Sequence, residues 1–237
     1  MNQPAISVLT PTRGRPDNVA RLIDSALATT ELPIELVFYL DDNDPDLTRN
    51  IGVIEEHAPA AIYIVGPRIV LSETWNACFR VAVADVLMQC GDDIVFRSRH
   101  WAETVLREFD KYPDRLVLIH GRDDIQDDRV ATHGFYHRRW VDTIGYFMPP
   151  YFASDWNDMW WTEVADAVGR RVYLPSVHTE HMHPVVGKAP MDLTHTERLE
   201  RHRDDDCDRI YTDRYPERQQ DVAKLRAAIA AAEGVAA

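Results

Sequence analysis

The chain has 237 residues, 45% hydrophobic and 27% charged, the balance of a globular protein with one sizeable core. Six Trp, nine Tyr and seven Phe with clear apolar periodicity exclude a disordered chain or a solenoid. Twenty-six Lys and Arg against 39 Asp and Glu leave a net charge of −13, a field that opposes non-specific nucleic-acid binding. Cys78, Cys90 and Cys207 have no CxxC spacing, which speaks against a disulfide framework and a thiolate zinc site, so reduced thiols and a cytoplasmic location are expected. With no basic leader and no apolar run near the roughly 20 residues a bilayer needs, neither export nor membrane insertion is expected.

In chain order, Ile6 to Thr10 reads as a buried strand that ends in the turn Pro11-Thr-Arg-Gly-Arg-Pro16. Val19, Leu22, Ile23, Ala26 and Leu27 then share one helical face. Ile34 to Leu40 is a second strand, closed by Asp41-Asp-Asn-Asp-Pro45, and a weaker helix follows near 48–57. Ile62 to Val65 is a third strand, Trp75 to Val83 a helix, and Val86 to Gln89 a strand that delivers Gly91-Asp92-Asp93 to its carboxyl end. This alternation predicts an α/β fold with a mostly parallel central sheet flanked by helices. Later, Trp101, Val105 and Phe109 mark a helix, Leu116 to Ile119 a strand, and Trp156 to Val168 a helix stopped by Gly169. The stretch Pro175 to Pro190 reads as a loop, and Val222 to Ala232 as a helix that either pairs subunits or packs on its own domain.

Several constellations carry chemistry. Asp92 and Asp93, just past a buried strand, suit Mg²⁺ or Mn²⁺, which binds through one or two carboxylates and takes phosphate oxygens and water besides. His178, His181 and His183 lie within six positions, and imidazole binds Mn²⁺ and Zn²⁺ readily. An extended stretch puts His181 and His183 on one side, and Lys188 is a candidate phosphate partner. Asp155 is at once a natural helix N-cap and, flanked by Trp156, Trp160 and Trp161, a candidate general base; Asp158 stands one turn on. Pro11 to Pro16 sets a glycine and two arginines between strand and helix, where they can meet a nucleobase or phosphate. Asp41 and Asp42 end the second strand, from which an acid can accept hydrogen bonds from a base or ribose.

In this order and spacing, Ile6 to Pro16, Asp41-Asp42, Trp75-Asn76-Ala77, Asp92-Asp93 and Gly145 to Asp158 resemble a family 2 glycosyltransferase with the GT-A fold, over roughly residues 5–190. Glu180 to Lys188 with Asp192 is similar to the end of short bacteriophage-encoded glycosyltransferases. The resemblance implies a GT-A domain over 1–193, with a Rossmann-like nucleotide half (1–95) and an acceptor half (96–193), and a charged, helical extension over 194–237. It implies an inverting transfer of sugar from a nucleotide-diphosphate sugar, with UDP-sugar favoured, to a hydroxyl acceptor. A DNA base, a virion protein or a glycan would supply that hydroxyl, and a DNA contact would need Arg97, Arg99, Arg138 and Arg139 to form a local patch.

By that resemblance Pro11, Thr12, Arg13, Arg15 and Asp41 hold the base, with Asp42, Asn76 and Lys188 also on the nucleotide side. Asp92 meets the ribose or metal, Asp93 the Mn²⁺ or Mg²⁺ under the diphosphate, and His181 or His183 completes those contacts. Asp155 aligns with the base that deprotonates the acceptor. The same residues also admit a sugar nucleotidyltransferase, a metal hydrolase built on the three histidines, or a non-catalytic binding domain.

Overall fold

The structure, a computed structural model, describes residues 3–235. In chain order its elements are β1 (Ile6–Thr12), α1 (Pro16–Ala28), β2 (Ile34–Asp41), α2 (Leu47–His57), β3 (Ile62–Gly66), α3 (Leu71–Val81), β4 (Val86–Gln89), β5 (Ile94–Phe96) and α4 (Trp101–Phe109). There follow β6 (Leu118–Arg122), β7 (Phe135–His137), α5 (Arg138–Ile144), α6 (Asn157–Ala167), β8 (Arg171–His181), α7 (Leu193–Asp204), α8 (Cys207–Asp213) and α9 (Tyr215–Val235).

The strands form one sheet in the order β3-β2-β1-β4-β7-β6-β8-β5. Pairing is parallel from β3 through β2 and β1 to β4, as the strand and helix alternation requires. Beyond β4 the sheet turns mixed: β7 runs antiparallel to β4 and β6, β8 parallel to β6, and β5 antiparallel to β8. The strand β7 has only three residues, too few for its period to stand out in the sequence.

Side-chain alternation builds a core on each face of the sheet. Ile6 and Val8 of β1, with Leu36, Phe38 and Leu40 of β2, pack with Val19, Leu22, Ile23 and Ala26 of α1 and with α4. Leu9, Val37 and Tyr39 point the other way, into a second core with Trp75 and Cys78 of α3 and the aromatic side chains of α5 and α6. Strands covered on both faces read as continuous apolar runs, which is why they were visible in the sequence.

One expectation needs correcting and one open alternative is decided. The stretch expected as a loop from Pro175 continues as strand to His181, paired with β5 through Thr179, Glu180 and His181. A register shift past Gly121, where Arg122 pairs with His178 rather than the next residue of β8, accommodates Pro175, a position where proline removes no ladder hydrogen bond. The C-terminal helix is longer than Val222 to Ala232 and lies on its own domain, against α5 and α6, with Val222, Leu225 and Ile229 in the core. Cys78, Cys90 and Cys207 are buried and unpaired. Among the described residues no helix is long and apolar enough to cross a membrane.

Candidate active site

The carboxyl ends of β1, β2 and β4 open into a cavity of about 280 Å³, in the crevice where open α/β sheets bind ligands. At one end stands Asp41, the last residue of β2, between two guanidinium groups: Arg13 Nη1 lies 3.4 Å and Arg68 Nε 3.7 Å from its Oδ2. Burial lifts the Asp41 pKa against the pull of these arginines. Arg68 Nε is buried with no hydrogen-bond acceptor. The loop that presents Arg13 turns at Gly14, where φ is +66°, a conformation glycine adopts without strain, and the Gly14 N–H donates to Asp44 at 3.0 Å.

In the middle, Asp92 accepts from Thr12 Oγ1 at 2.7 Å and from Arg15 Nη1 at 2.9 Å. Burial pushes Asp92 up, and the adjacent Asp93 adds to that. Asp93 goes the other way: burial alone would raise it, but His181, Arg15 and His133 hold it well below the usual carboxylate range. His181 Nε2 is 3.3 Å from Asp93 and its Nδ1 3.6 Å from Asp123. Burial pulls this ring down, yet the two carboxylates outweigh it and lift the pKa to about 9. Burial and the charged His181 take His183 down to about 4. A Cβ at Gly91 would come within 2.8 Å of Asp93 Oδ1, so a larger residue here would displace that carboxylate.

At the far end Asp155 and Asp158 line the cavity. Asp155 and Trp156 both hold positive φ, 48° and 61°, a strained conformation of the kind stored at functional sites. The structure does not use Asp155 as the helix cap: Trp156 takes that position without a side-chain cap, and the Asp155 carboxylate instead meets Arg198, His202 at 2.8 Å and Ser154 at 3.1 Å. Burial raises the pKa of Asp158.

The sequence profile of glycosyl transferase family 2 matches residues 7–180. The chain belongs to this family. It is a glycosyltransferase of the GT-A fold. The mannosyltransferase PcManGT from Pyrobaculum calidifontis, in complex with GDP-Man and Mn²⁺, superposes with a TM-score of 0.63 at 14% identity, over 99% of this chain and 76% of that one. S. aureus TarS 1-349 in complex with UDP gives 0.57 at 14% identity, over 73% of this chain and 59% of that one. The same protein in complex with UDP-GlcNAc gives 0.56 at 13% identity, over 82% and 64%. No curated protein matches the sequence.

In this glycosyltransferase Pro11, Thr12, Arg13, Arg15, Asp41, Asp92, Asp93, Asp155, Asp158, His181 and His183 share the one cavity. Three expected residues are placed elsewhere. Asp42 is exposed at the turn after β2. Asn76 braces the loop after α5, donating to Met148 O at 2.9 Å and accepting from the Met148 N–H at 2.8 Å. Lys188 is paired with Asp124 at 2.8 Å and Glu180 at 2.7 Å. His178 also turns away, with its Nε2 3.0 Å from Asp124, so the three histidines do not converge. Of the four arginines expected at a DNA contact, Arg97 pairs with Glu180 and Arg138 donates to the carbonyls of Ala82 and Ala84, while Arg99 and Arg139 are exposed.

The wall opposite β1 comes from Asp192 and α7, beyond the boundary drawn at residue 193. Asp192 caps α7 and binds Arg15 through two contacts, at 2.8 and 2.9 Å. Glu197 accepts from Arg13 at 3.0 Å and Arg68 at 2.7 Å. Arg68, Asp123, His133, His195, Glu197, Arg198 and His202 escaped the sequence reading. Asp192 ahead of a helix is legible as a cap; that it faces Arg15 across 177 positions is not.

Among the described residues no three His, Cys, Asp or Glu side chains are gathered to hold a metal by themselves. Asp93, and His181 once its ring gives up the proton it holds between Asp93 and Asp123, make two donors, which fits a Mg²⁺ or Mn²⁺ ion that completes its shell from phosphate and water.

Proposed function

We propose that the protein transfers a sugar from a UDP-sugar to a hydroxyl acceptor with inversion at the anomeric carbon. The observation that carries this reading is that Asp41 at the end of β2, Asp93 past the end of β4 and Asp155 ahead of α6 line one cavity, and we assign them to base, diphosphate and acceptor. The uracil edge offers an acceptor, a donor and an acceptor (O4, N3–H, O2). Arg68, Asp41 and Arg13 present donor, acceptor and donor in return, with Arg68 Nε beside Asp41 and without a hydrogen-bond acceptor of its own. Guanine would set its N2 amino group against one of these guanidinium groups, and cytosine would set a bare N3 against the carboxylate.

Asp93 and His181 would hold a divalent ion, which neutralises charge on the leaving diphosphate when bound. Arg15, fixed by Asp92 and Asp192, adds a permanent cation beside that group. Asp155 takes the proton of the acceptor hydroxyl as its oxygen attacks the anomeric carbon from the face opposite the departing UDP. Arg198 and His202 orient the Asp155 carboxylate. No covalent nucleophile is needed, because the diphosphate is already a good leaving group.

The test is release of UDP from UDP-glucose, UDP-galactose or UDP-N-acetylglucosamine with Mn²⁺ present. UDP release by the wild-type protein and its loss in Asp93→Ala are expected. No release from any of the three, together with no binding of UDP, would remove the reading.

A further inference from the structure

On the wall between the diphosphate and acceptor ends, two consecutive residues each bury a polar atom that has no hydrogen-bond partner: Thr132 Oγ1 and His133 Nε2. Buried polar atoms are almost always paired, so an unpaired neighbouring couple on a cavity wall asks for a ligand. His181 Nδ1 and His195 Nε2 also lack a hydrogen bond, but each has a carboxylate within 4 Å, at 3.6 and 3.9 Å. Among the described residues His133 makes no ion pair, and Thr132 Oγ1 has no hydrogen-bond partner.

The segment is held in place from both ends. The Gly91 N–H donates to His133 Nδ1 at 3.3 Å, and the Ala131 N–H donates to Thr162 Oγ1 at 2.9 Å. Gly91 belongs to the strand end that carries Asp93, and Thr162 lies one turn past Asp158 on α6, so residues 131–133 bridge the two halves of the reaction. His133 is 7% exposed and holds φ at +55°, a left-handed backbone that a non-glycine residue keeps only when its surroundings insist. Because Nδ1 accepts the Gly91 N–H, the hydrogen of the neutral ring sits on Nε2, which makes that atom a donor.

We propose that Thr132 and His133 read the sugar of the donor: His133 Nε2–H donates to one sugar hydroxyl oxygen, and Thr132 Oγ1 accepts from or donates to a hydroxyl beside it. They are specificity residues, and the proposal rests on the UDP-sugar reading above.

The experiment measures calorimetric Kd values for UDP and for UDP-glucose, UDP-galactose and UDP-N-acetylglucosamine with Mn²⁺. The proteins are wild type, His133→Asn, His133→Gln and Thr132→Val. Asparagine tolerates the left-handed backbone and its Oδ1 can still accept the Gly91 N–H, but it has nothing at Nε2. His133→Asn should weaken the best-bound UDP-sugar about tenfold or more while leaving UDP unchanged. His133→Gln, whose amide reaches the Nε2 position, should recover part of the loss, and Thr132→Val should lose a smaller factor.

An equal loss for UDP and UDP-sugar in His133→Asn would move the contact to the diphosphate and overturn the proposal, as would no loss in either. Failure of the wild type to bind UDP at all would overturn the underlying reading as well. Melting temperatures of the variants near that of the wild type exclude unfolding as the cause.

Discussion

The two long walls of the cavity are built by different physics. The wall made by β1, β2 and β4 rests on strands buried on both faces, and its functional side chains leave from backbone that packing has already fixed. The wall made by Asp192 and α7 has little apolar anchorage: Leu193 and Leu199 are exposed, and the helix is held through Arg13, Arg15 and Arg68 on one side and Asp155 on the other. One wall is positioned before any ligand arrives. The other is positioned by charges that a diphosphate would also seek, so it is the wall that ligand binding perturbs.

The largest expected effect falls at the junction of the two walls. Asp155→Asn should lower turnover about 10² to 10⁴-fold, since it removes the proton acceptor and also weakens the pairs with Arg198 and His202 that hold α7. Asp158→Asn should cost less; the reverse order would hand the base role to Asp158, whose burial raises its pKa.

Arg15→Gln comes next, because Arg15 joins the walls by meeting Asp92, Asp93 and Asp192. Removing the guanidinium leaves the buried Asp92 with Thr12 as its remaining side-chain partner, and a stability loss of about 3–5 kcal/mol is expected in urea unfolding. A loss below 1 kcal/mol would mean that the walls hold independently.

Acid titration separates sheet from tail. His120, fully buried in β6, has its pKa taken down to about 4 by burial and by Arg171. Its unfolded value is near 6.5, so between pH 6.5 and 4 the unfolded chain binds the proton that the folded one refuses. This contribution is present above pH 6.5 and is lost as pH falls toward 4, by up to about 3 kcal/mol in wild type. His120→Asn should flatten that part of the stability profile, and an unchanged slope would contradict it.

The smallest effect is expected from Glu197→Gln, which loosens the partly exposed pairs with Arg13 and Arg68 by about 1 kcal/mol or less. Its informative readout is UDP affinity, which should stay level or rise as the arginines are released. A large fall would make Glu197 part of the binding surface.

The same contrast explains what could be read without coordinates. The nucleotide half was legible because burial on both faces of β1 and β2 leaves apolar runs, and α1 shows its inner face at helical spacing. Pro11 to Arg15, Asp41 and the Asp92-Asp93 pair could then be placed at strand ends, where the structure has them. The α7 wall was not legible: its sequence is almost all polar, with no apolar stripe to orient it, and its position depends on ion pairs between residues nearly two hundred positions apart. Asn76 and Lys188 illustrate a further limit, since nothing local distinguishes an amide that braces a loop or a lysine paired at the surface from a ligand contact. His133 was silent for the opposite reason, being a single residue whose meaning lies in a backbone angle and an unpaired nitrogen.

The most direct measurement is calorimetric titration of the wild-type protein and Asp41→Asn with UDP and with GDP in the presence of Mn²⁺. The Arg13, Asp41 and Arg68 arrangement predicts that UDP binds at least about tenfold more tightly than GDP and that Asp41→Asn weakens both, since uracil N3–H and guanine N1–H both donate to this carboxylate. Equal or tighter binding of GDP, or no binding of either diphosphate, would contradict the assignment of this cavity to a UDP-sugar.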